Sequence, residues 1–305
     1  MSITIEQLTE PVPLGESPHW DSNLNVLYFI SIDNRIHKYD PATKLHTKTK
    51  LDNQVGFMVP VDGTSDEFVV GTERKFVVIQ WDGTDGAPVR TVKVLGEVDH
   101  DVTGTNINDG KADPRGRLFA GTRCELEPDF DLVKNDGSLY RIVGSSTPEK
   151  LCDKIRFSNG LTWDLDEKAF YYIDSLDYAI RRYDYDVNTG NISNMRYVFD
   201  LKKNNMKGGP DGMTIDTEGN LWIALMGESC VIKIDPRNGK LLQTVTVPVK
   251  NVTSVTFGGP NLDVMFLTTA NLELNGGVLE PPAGAVFKVT GLGAKGHPNV
   301  AFKLY

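Results

Sequence analysis

Three polar side chains stand at corresponding positions in a repeating pattern of the chain: Glu16, Asn159 and Asp211. Each lies in a short polar segment that is followed by a Trp or Met, then an Asp, and then an apolar run. Carboxylate and amide oxygens are ligands that calcium, magnesium and manganese prefer, and zinc accepts them too. If the repeats form a ring, these oxygens meet at its centre and could hold one divalent cation. Alternatively each residue is a turn former, because Asn-Gly and Asp-Gly are frequent turn dipeptides.

The elements that would position these side chains are short apolar runs with the composition of β-strands. Six such runs, spaced about 40 to 50 residues apart, begin near Val26, Phe68, Leu118, Phe170, Leu221 and Val264. Most are followed by a second run and by turns rich in Gly, Asn, Asp and Pro. This pattern predicts an all-β fold, a six-bladed β-propeller with a central metal site, in which residues 1–305 form a single domain. A pair of β-sandwiches would also give short strands and many turns.

A fourth polar segment, from Asn106 to Arg117, precedes the third of these runs. It offers two amides, Asn106 and Asn108, and the carboxylate of Asp109 at the same end of the predicted ring. One interpretation is that Asn106 and Asn108 contact the substrate. The other is a polar loop, in which residues 113–116 simply form a β-turn.

Composition excludes several classes of function. The chain of 305 residues has a net charge of −9 and a pI near 5.1, so it lacks the basic surface that nucleic acids or anionic membranes require. The N-terminal residues do not resemble a secretory signal, and no apolar run is long enough to span a membrane. The three cysteines form no CxxC pair, which favours a reducing compartment. We therefore expect a cytoplasmic monomer that acts on a small molecule, without a nucleic-acid or membrane partner.

The C-terminal Lys303-Leu304-Tyr305 is displaced by one residue from a peroxisomal address, so it does not indicate that compartment.

Four segments together resemble the regucalcin/gluconolactonase family along nearly the whole chain. They are Leu14-Gly15-Glu16-Ser17-Pro18-His19-Trp20, Asn108-Asp109-Gly110-Lys111 with Gly116-Arg117-Leu118-Phe119-Ala120-Gly121-Thr122, Ser158-Asn159-Gly160-Leu161-Thr162-Trp163, and Pro210-Asp211-Gly212-Met213. The resemblance implies a six-bladed propeller whose divalent cation is bound by Glu16, Asn159 and Asp211. It also implies that Asp211 is a general base or acid and that Asn108 contacts the substrate.

Two departures from the family pattern concern the substrate. Sugar-lactone members have an Arg at the position of Asn106, and Cys124-Glu125-Leu126-Glu127 keeps only part of their acidic pattern. Loss of an Arg removes a cation with several hydrogen-bond donors, which could hold a hydroxyl-rich or anionic substrate. A flatter and more apolar substrate is therefore expected.

These observations lead to a hypothesis of a metal-dependent hydrolase of a cyclic acyl compound. The metal would polarise the ring carbonyl, and Asp211 would take a proton from the attacking water. Within the family, the resemblance is nearest to members that act on oxyluciferin and give 2-cyano-6-hydroxybenzothiazole. Two alternatives stay open: a lactonase of the gluconolactonase type, and a calcium-binding regulator without catalytic activity.

Overall fold

The computed structural model describes residues 2–127, 133–272 and 277–305. Within these ranges the chain forms antiparallel β-strands, with one short 3-10 turn at Ser175–Asp177. None of the described segments is a helix of the length and apolarity needed to cross a membrane. The all-β prediction is confirmed, and all three cysteines are free thiols.

Strand β1 (Thr4–Gln7) is followed by four separate sheets, each built from four strands that are consecutive in the chain. The first two sheets consist of β2 (Gly15–Asp21), β3 (Val26–Ser31), β4 (Arg35–Asp40) and β5 (Leu45–Lys50), and of β6 (Val55–Pro60), β7 (Glu67–Thr72), β8 (Lys75–Gln80) and β9 (Arg90–Glu97). The next two consist of β10 (Thr105–Ala112), β11 (Leu118–Cys124), β12 (Gly137–Ile142) and β13 (Glu149–Ile155), and of β14 (Ser158–Asp164), β15 (Ala169–Asp174), β16 (Ala179–Tyr185) and β17 (Ile192–Asp200).

The remaining strands form one sheet of eight. It contains β18 (Gly209–Ile215), β19 (Leu221–Met226), β20 (Cys230–Asp235), β21 (Lys240–Thr246), β22 (Asn251–Gly258), β23 (Val264–Ala270), β24 (Phe287–Thr290) and β1. The halves β18–β21 and β22–β24 are joined by one residue pair, Met226 and Asn251. Strand β1 pairs with β24, so the beginning of the chain completes the second half. Hydrogen bonding thus defines five sheets, whereas six separate blades were predicted.

The first strands of consecutive four-strand runs contact one another around a ring. Strand β2 contacts β6, β6 contacts β10, and the series continues through β14, β18 and β22 back to β2. This closed arrangement makes the fold propeller-like. The contacts therefore arrange these six strands around one axis.

Burial explains why the second strand of each sheet is almost wholly apolar. All six residues of β3 and of β15 are buried, since both faces of each sheet are covered by neighbouring sheets. The outer strands alternate instead: β21 has the burial pattern of a strand with one face in solvent. Buried apolar clusters include residues of neighbouring sheets, so this packing helps to hold the sheets together.

The C-terminal segment crosses the end of the ring that lies away from Glu16, Asn159 and Asp211. The Phe302 N–H donates to Pro60 O at 2.8 Å, and Lys303 N–H donates to Gly116 O at 2.8 Å. The Phe302 side chain is fully buried against the second and third sheets. This segment therefore ties together strands that are far apart in sequence.

Candidate metal centre and adjoining cavity

The three predicted ligands lie at equivalent positions near the starts of innermost strands. Glu16 and Asn159 are the second residues of β2 and β14, and Asp211 is the third residue of β18. The register of strand pairing shifts at each of these residues. The shifts lie between Glu16 and His19, between Asn159 and Leu161, and between Pro210 and Met213. A β-bulge of this kind turns a side chain away from the regular alternation. The repeated bulge explains how polar residues in buried strands can face the axis.

Glu16 and Asp211 are hydrogen-bonded to each other through their carboxyl groups. The Ser17 N–H also donates to Glu16 Oε2 at 2.7 Å. Burial raises the pKa of both carboxyls well above the ordinary range, and mutual repulsion with the nearby Asp109 raises it further. Two acidic groups held this close in a buried place need either a shared proton or a cation between them.

Asn159 is 3% exposed, and both ends of its amide are bonded. Its Oδ1 accepts a hydrogen bond from Asn108 Nδ2 at 3.0 Å, and its Nδ2 donates to Ser175 Oγ at 2.7 Å. Ser175 in turn donates to the Pro210 carbonyl at 2.6 Å, next to Asp211. These contacts hold the amide in one orientation, with Oδ1 towards Asn108 and Nδ2 towards Ser175.

Backbone packing brings Asn159 and Asp211 together. A Cβ atom on Gly160 would lie 2.7 Å from the Asp211 carbonyl oxygen, so only glycine permits this approach of the two strands. Since Asp211 also bonds Glu16, the structure brings all three predicted ligands into one place. Their metal-binding role remains a prediction.

The donor set suits a hard divalent cation, because it consists of two carboxyl groups and one amide oxygen. In the described ranges, no group of three or more His, Cys, Asp or Glu side chains is arranged to hold a metal ion. The candidate centre therefore depends on Asn159 as its third ligand. A cation there would also remove the repulsion between the buried carboxyl groups, and the residues fit such an ion.

The two predicted substrate residues differ in position. Asn108 is half-buried, and its amide donates to the Ser158 carbonyl at 2.8 Å as well as to Asn159. Asn106 pairs with Arg123 across β10 and β11. Within the described part of the chain, Asn106 makes no side-chain hydrogen bond to the three candidate ligands. Their role in substrate contact stays a prediction.

Asp109 is the residue of this site that sequence reasoning left without a role. It directly follows a register shift in β10, whereas Glu16 and Asn159 directly precede the shifts in their own strands. Burial raises the pKa of Asp109 to about 6, while the Gly110 N–H and the Lys111 ammonium lower it. Burial also lowers the pKa of Lys111 to about 8. The sequence signal that could have found Asp109 is the glycine that follows it, since Asn159 and Asp211 are each followed by a glycine as well.

A cavity of about 420 Å³ opens beside Asn159 and Asp211. Much of its wall is apolar or aromatic, formed by Leu126, Phe157, Leu176, Tyr178 and Met226. The exposed Lys207 and Lys250 and the carboxylate of Glu228 lie at its edge. A cavity of this size and composition fits a small, flat organic molecule next to the candidate metal centre.

Fold and site together define a class of protein: an all-β, propeller-like ring with polar side chains clustered near its axis and a cavity of about 420 Å³ beside them. A family model described as the SMP-30/Gluconolactonase/LRE-like region matches residues 14–271. The chain therefore belongs to this family.

Known relatives are similar in sequence to this chain along almost its whole length. Regucalcin of Sus scrofa is 41% identical over 301 residues, which are 97% of this chain and 97% of the relative. Regucalcin of Homo sapiens is 40% identical over 299 residues, with the same coverage of both chains. The solved structure of a luciferin-regenerating enzyme is 38% identical, covers 99% of this chain and 100% of its own, and has a TM-score of 0.93. A calcium-binding regucalcin of Agrobacterium tumefaciens has a TM-score of 0.84 at 23% identity, with coverage of 98% and 97%, and supports the fold.

Proposed function

We propose that the protein is a metal-dependent hydrolase of a cyclic acyl compound, with the cation at Glu16, Asn159 and Asp211. The observation that carries this proposal is the position of Asp211. Its carboxyl group bonds Glu16, and Asp211 is also one of the residues that line the cavity. One residue can therefore serve both the cation and a substrate.

We also propose that the eight-stranded sheet consists of two blades, which gives a six-bladed propeller in a single domain spanning residues 1–305. The single residue pair between its halves supports this division, as does the ring of contacts between first strands. The central position of the site follows from that ring. A cytoplasmic monomer without nucleic-acid or membrane partners remains part of the proposal.

The bound cation, whether calcium, magnesium, manganese or zinc, would polarise a carbonyl oxygen of the substrate. Asp211 accepts a proton from the attacking water, because this residue lines the cavity in which that water must lie. Asn108 and Ser175 hold the Asn159 amide from opposite ends. The apolar wall excludes bulk water and orients a flat ring against Phe157.

For the substrate we propose oxyluciferin. Addition of one water opens its thiazolone ring, which gives 2-cyano-6-hydroxybenzothiazole, the product that can be returned to luciferin, and releases the remaining two carbons and ring sulfur as mercaptoacetate. The similarity to a luciferin-regenerating enzyme supports this choice, and so does the aromatic and apolar wall of the cavity. A substrate with many hydroxyl groups would place its polar atoms against this apolar wall, which is unfavourable.

The test is a parallel rate assay on oxyluciferin, an aryl lactone and gluconolactone, with protein stripped of metal and then reloaded with each of the four cations. We expect turnover of oxyluciferin that depends on added cation. Turnover of gluconolactone alone would instead favour a sugar lactonase, which the family description supports as the second candidate. Tight calcium binding without turnover of any of the three compounds would favour a calcium-binding regulator.

A further inference from the structure

A second functional feature lies at the edge of the cavity, where the guanidinium group of Arg123 stands over the ring of Phe157. The distance from Arg123 Cζ to the ring centroid is 5.5 Å. The backbones of the two residues are also paired, through an isolated β-bridge between the third and fourth sheets. Because Phe157 lines the cavity, this pairing holds a cation beside the place where a flat ligand would lie.

The guanidinium of Arg123 has few partners for a half-buried cation. A guanidinium carries five N–H donors. Among the described residues, Arg123 donates one long hydrogen bond, from Nη1 to Cys124 O at 3.5 Å, and it has no ion pair. Burial lowers the pKa of Arg123, and Glu125 acts in the opposite direction. Half-buried donors without partners in the protein are costly unless water or a ligand satisfies them.

Two other buried arginines of this protein, Arg117 and Arg181, are paired with carboxylates. Arg181 bonds Asp174 at 3.1 Å and Asp177 at 2.5 Å, and Arg117 bonds Asp113 at 2.6 Å. The chain thus pairs its structural guanidinium groups with carboxylates. Arg123, near the end of β11, has no carboxylate partner among the residues that the structure describes.

We propose that Arg123 is a specificity-determining residue that binds an anionic oxygen on the ring of an aromatic substrate. The planar guanidinium can donate two parallel hydrogen bonds to a carboxylate or one to a phenolate, while Phe157 supports the ring itself. Asn106 lies opposite Arg123 in the strand pair and adds a neutral amide at the same edge. This inference rests on the proposed hydrolase function, and it selects aromatic substrates that carry a negative charge.

The experiment compares a neutral aryl lactone with the same lactone bearing a carboxylate on its aromatic ring. For Arg123→Met we expect kcat/KM for the charged lactone to fall about 10- to 100-fold, as loss of hydrogen bonds to a charged group predicts. The neutral lactone should change by about twofold or less, because Met keeps the apolar stem. Arg196→Met is the matched control, since Arg196 is exposed and lies on the outer strand β17. An equal loss for both lactones, or no loss for either, would overturn the proposal.

A binding measurement separates this proposal from the proposed function. Calorimetric titration with 2-naphthoate and 2-naphthamide requires no turnover. We expect Arg123→Met to weaken only the naphthoate, about tenfold or more. If no lactone is hydrolysed but naphthoate binding still depends on Arg123, the hydrolase function fails and the recognition role stands. Equal naphthoate affinity in variant and native protein would overturn the role of Arg123.

If Arg123→Met does not fold, Arg123→Lys tests the same proposal. Lysine keeps the charge but lacks the planar fork, so we expect about a tenfold loss of the preference for the charged ligand. An unchanged preference would contradict recognition by paired hydrogen bonds.

Discussion

Replacement of Glu16 by Gln should change the stability of the protein in opposite directions, depending on whether a cation is bound. The amide keeps the length of the side chain and can still accept the Ser17 N–H. It removes one of two buried acidic groups that are hydrogen-bonded to each other. The variant therefore separates the cost of holding these groups together from the benefit of the cation that they bind.

The magnitude without a cation follows from the repulsion in the buried pair. Two unit charges about 4 Å apart interact by about 4 kcal/mol at an effective dielectric constant of about 20. Sharing of a proton relieves most of this repulsion, because interacting carboxyl groups titrate as a pair. We expect metal-free Glu16→Gln to gain about 1 to 2 kcal/mol, or about 2 to 4 °C in thermal midpoint.

A bound cation should reverse the order of stability of the native protein and the variant. At a concentration of about 100 times its Kd, a cation that binds only the folded state stabilises it by about 2.7 kcal/mol. Glu16→Gln loses one of the two carboxyl ligands, so it should gain little from added cation. The native protein then becomes the more stable of the two, and the curves of thermal midpoint against cation concentration cross.

The assay is thermal denaturation followed by circular dichroism, in a chelator and in a calcium series, at pH 7. Glu10→Gln serves as the control, because Glu10 is exposed and also loses one negative charge. A destabilised metal-free Glu16→Gln protein with an unchanged calcium response would refute the reasoning.

Three further predictions concern the site and the fold. Asp211→Asn should reduce turnover about 10²- to 10⁴-fold in a rate assay, and full turnover with metal content retained would exclude Asp211 as the general base. The pKa of Asp109 is about 6 in the folded protein, above the ordinary value near 3.8. Protonation of Asp109 therefore stabilises the folded state in full below about pH 3.8, and this stabilisation is lost as the pH rises through about 6. Metal-free Asp109→Asn should therefore gain about 3 kcal/mol over the native protein between pH 4 and pH 7 in urea titrations, since a rise of about 2 pKa units is worth about 1.4 kcal/mol per unit, and parallel pH profiles would contradict this. Phe302→Ala should cost about 3 to 5 kcal/mol in the same titrations, because its ring is fully buried; a loss below about 1 kcal/mol would show that the C-terminal segment is not needed.

The sequence was most informative where a local pattern repeats. Period and alternation were enough to predict an all-β ring of strands, since these signals depend only on near neighbours. The matched positions of Glu16, Asn159 and Asp211 predicted that they lie together, and the structure brings them together through a bulge in each strand.

Features that depend on register and on distant contacts could not be read in this way. The pairing of Met226 with Asn251 merges two groups of strands into one sheet. Asn108 bonds Asn159, and Arg123 faces Asn106, only because β10 and β11 adopt one particular register. The path of the C-terminal segment across the ring is fixed by backbone bonds of Phe302 and Lys303 to distant strands.

The central claim is that one divalent cation lies between Glu16, Asn159 and Asp211. Anomalous diffraction from crystals soaked in manganese tests it most directly, because manganese shares the oxygen-ligand preference and scatters strongly. We predict one strong peak with oxygen atoms of all three side chains at about 2.0 to 2.6 Å. A peak bound elsewhere, or no peak at these residues in fully loaded crystals, would contradict the claim.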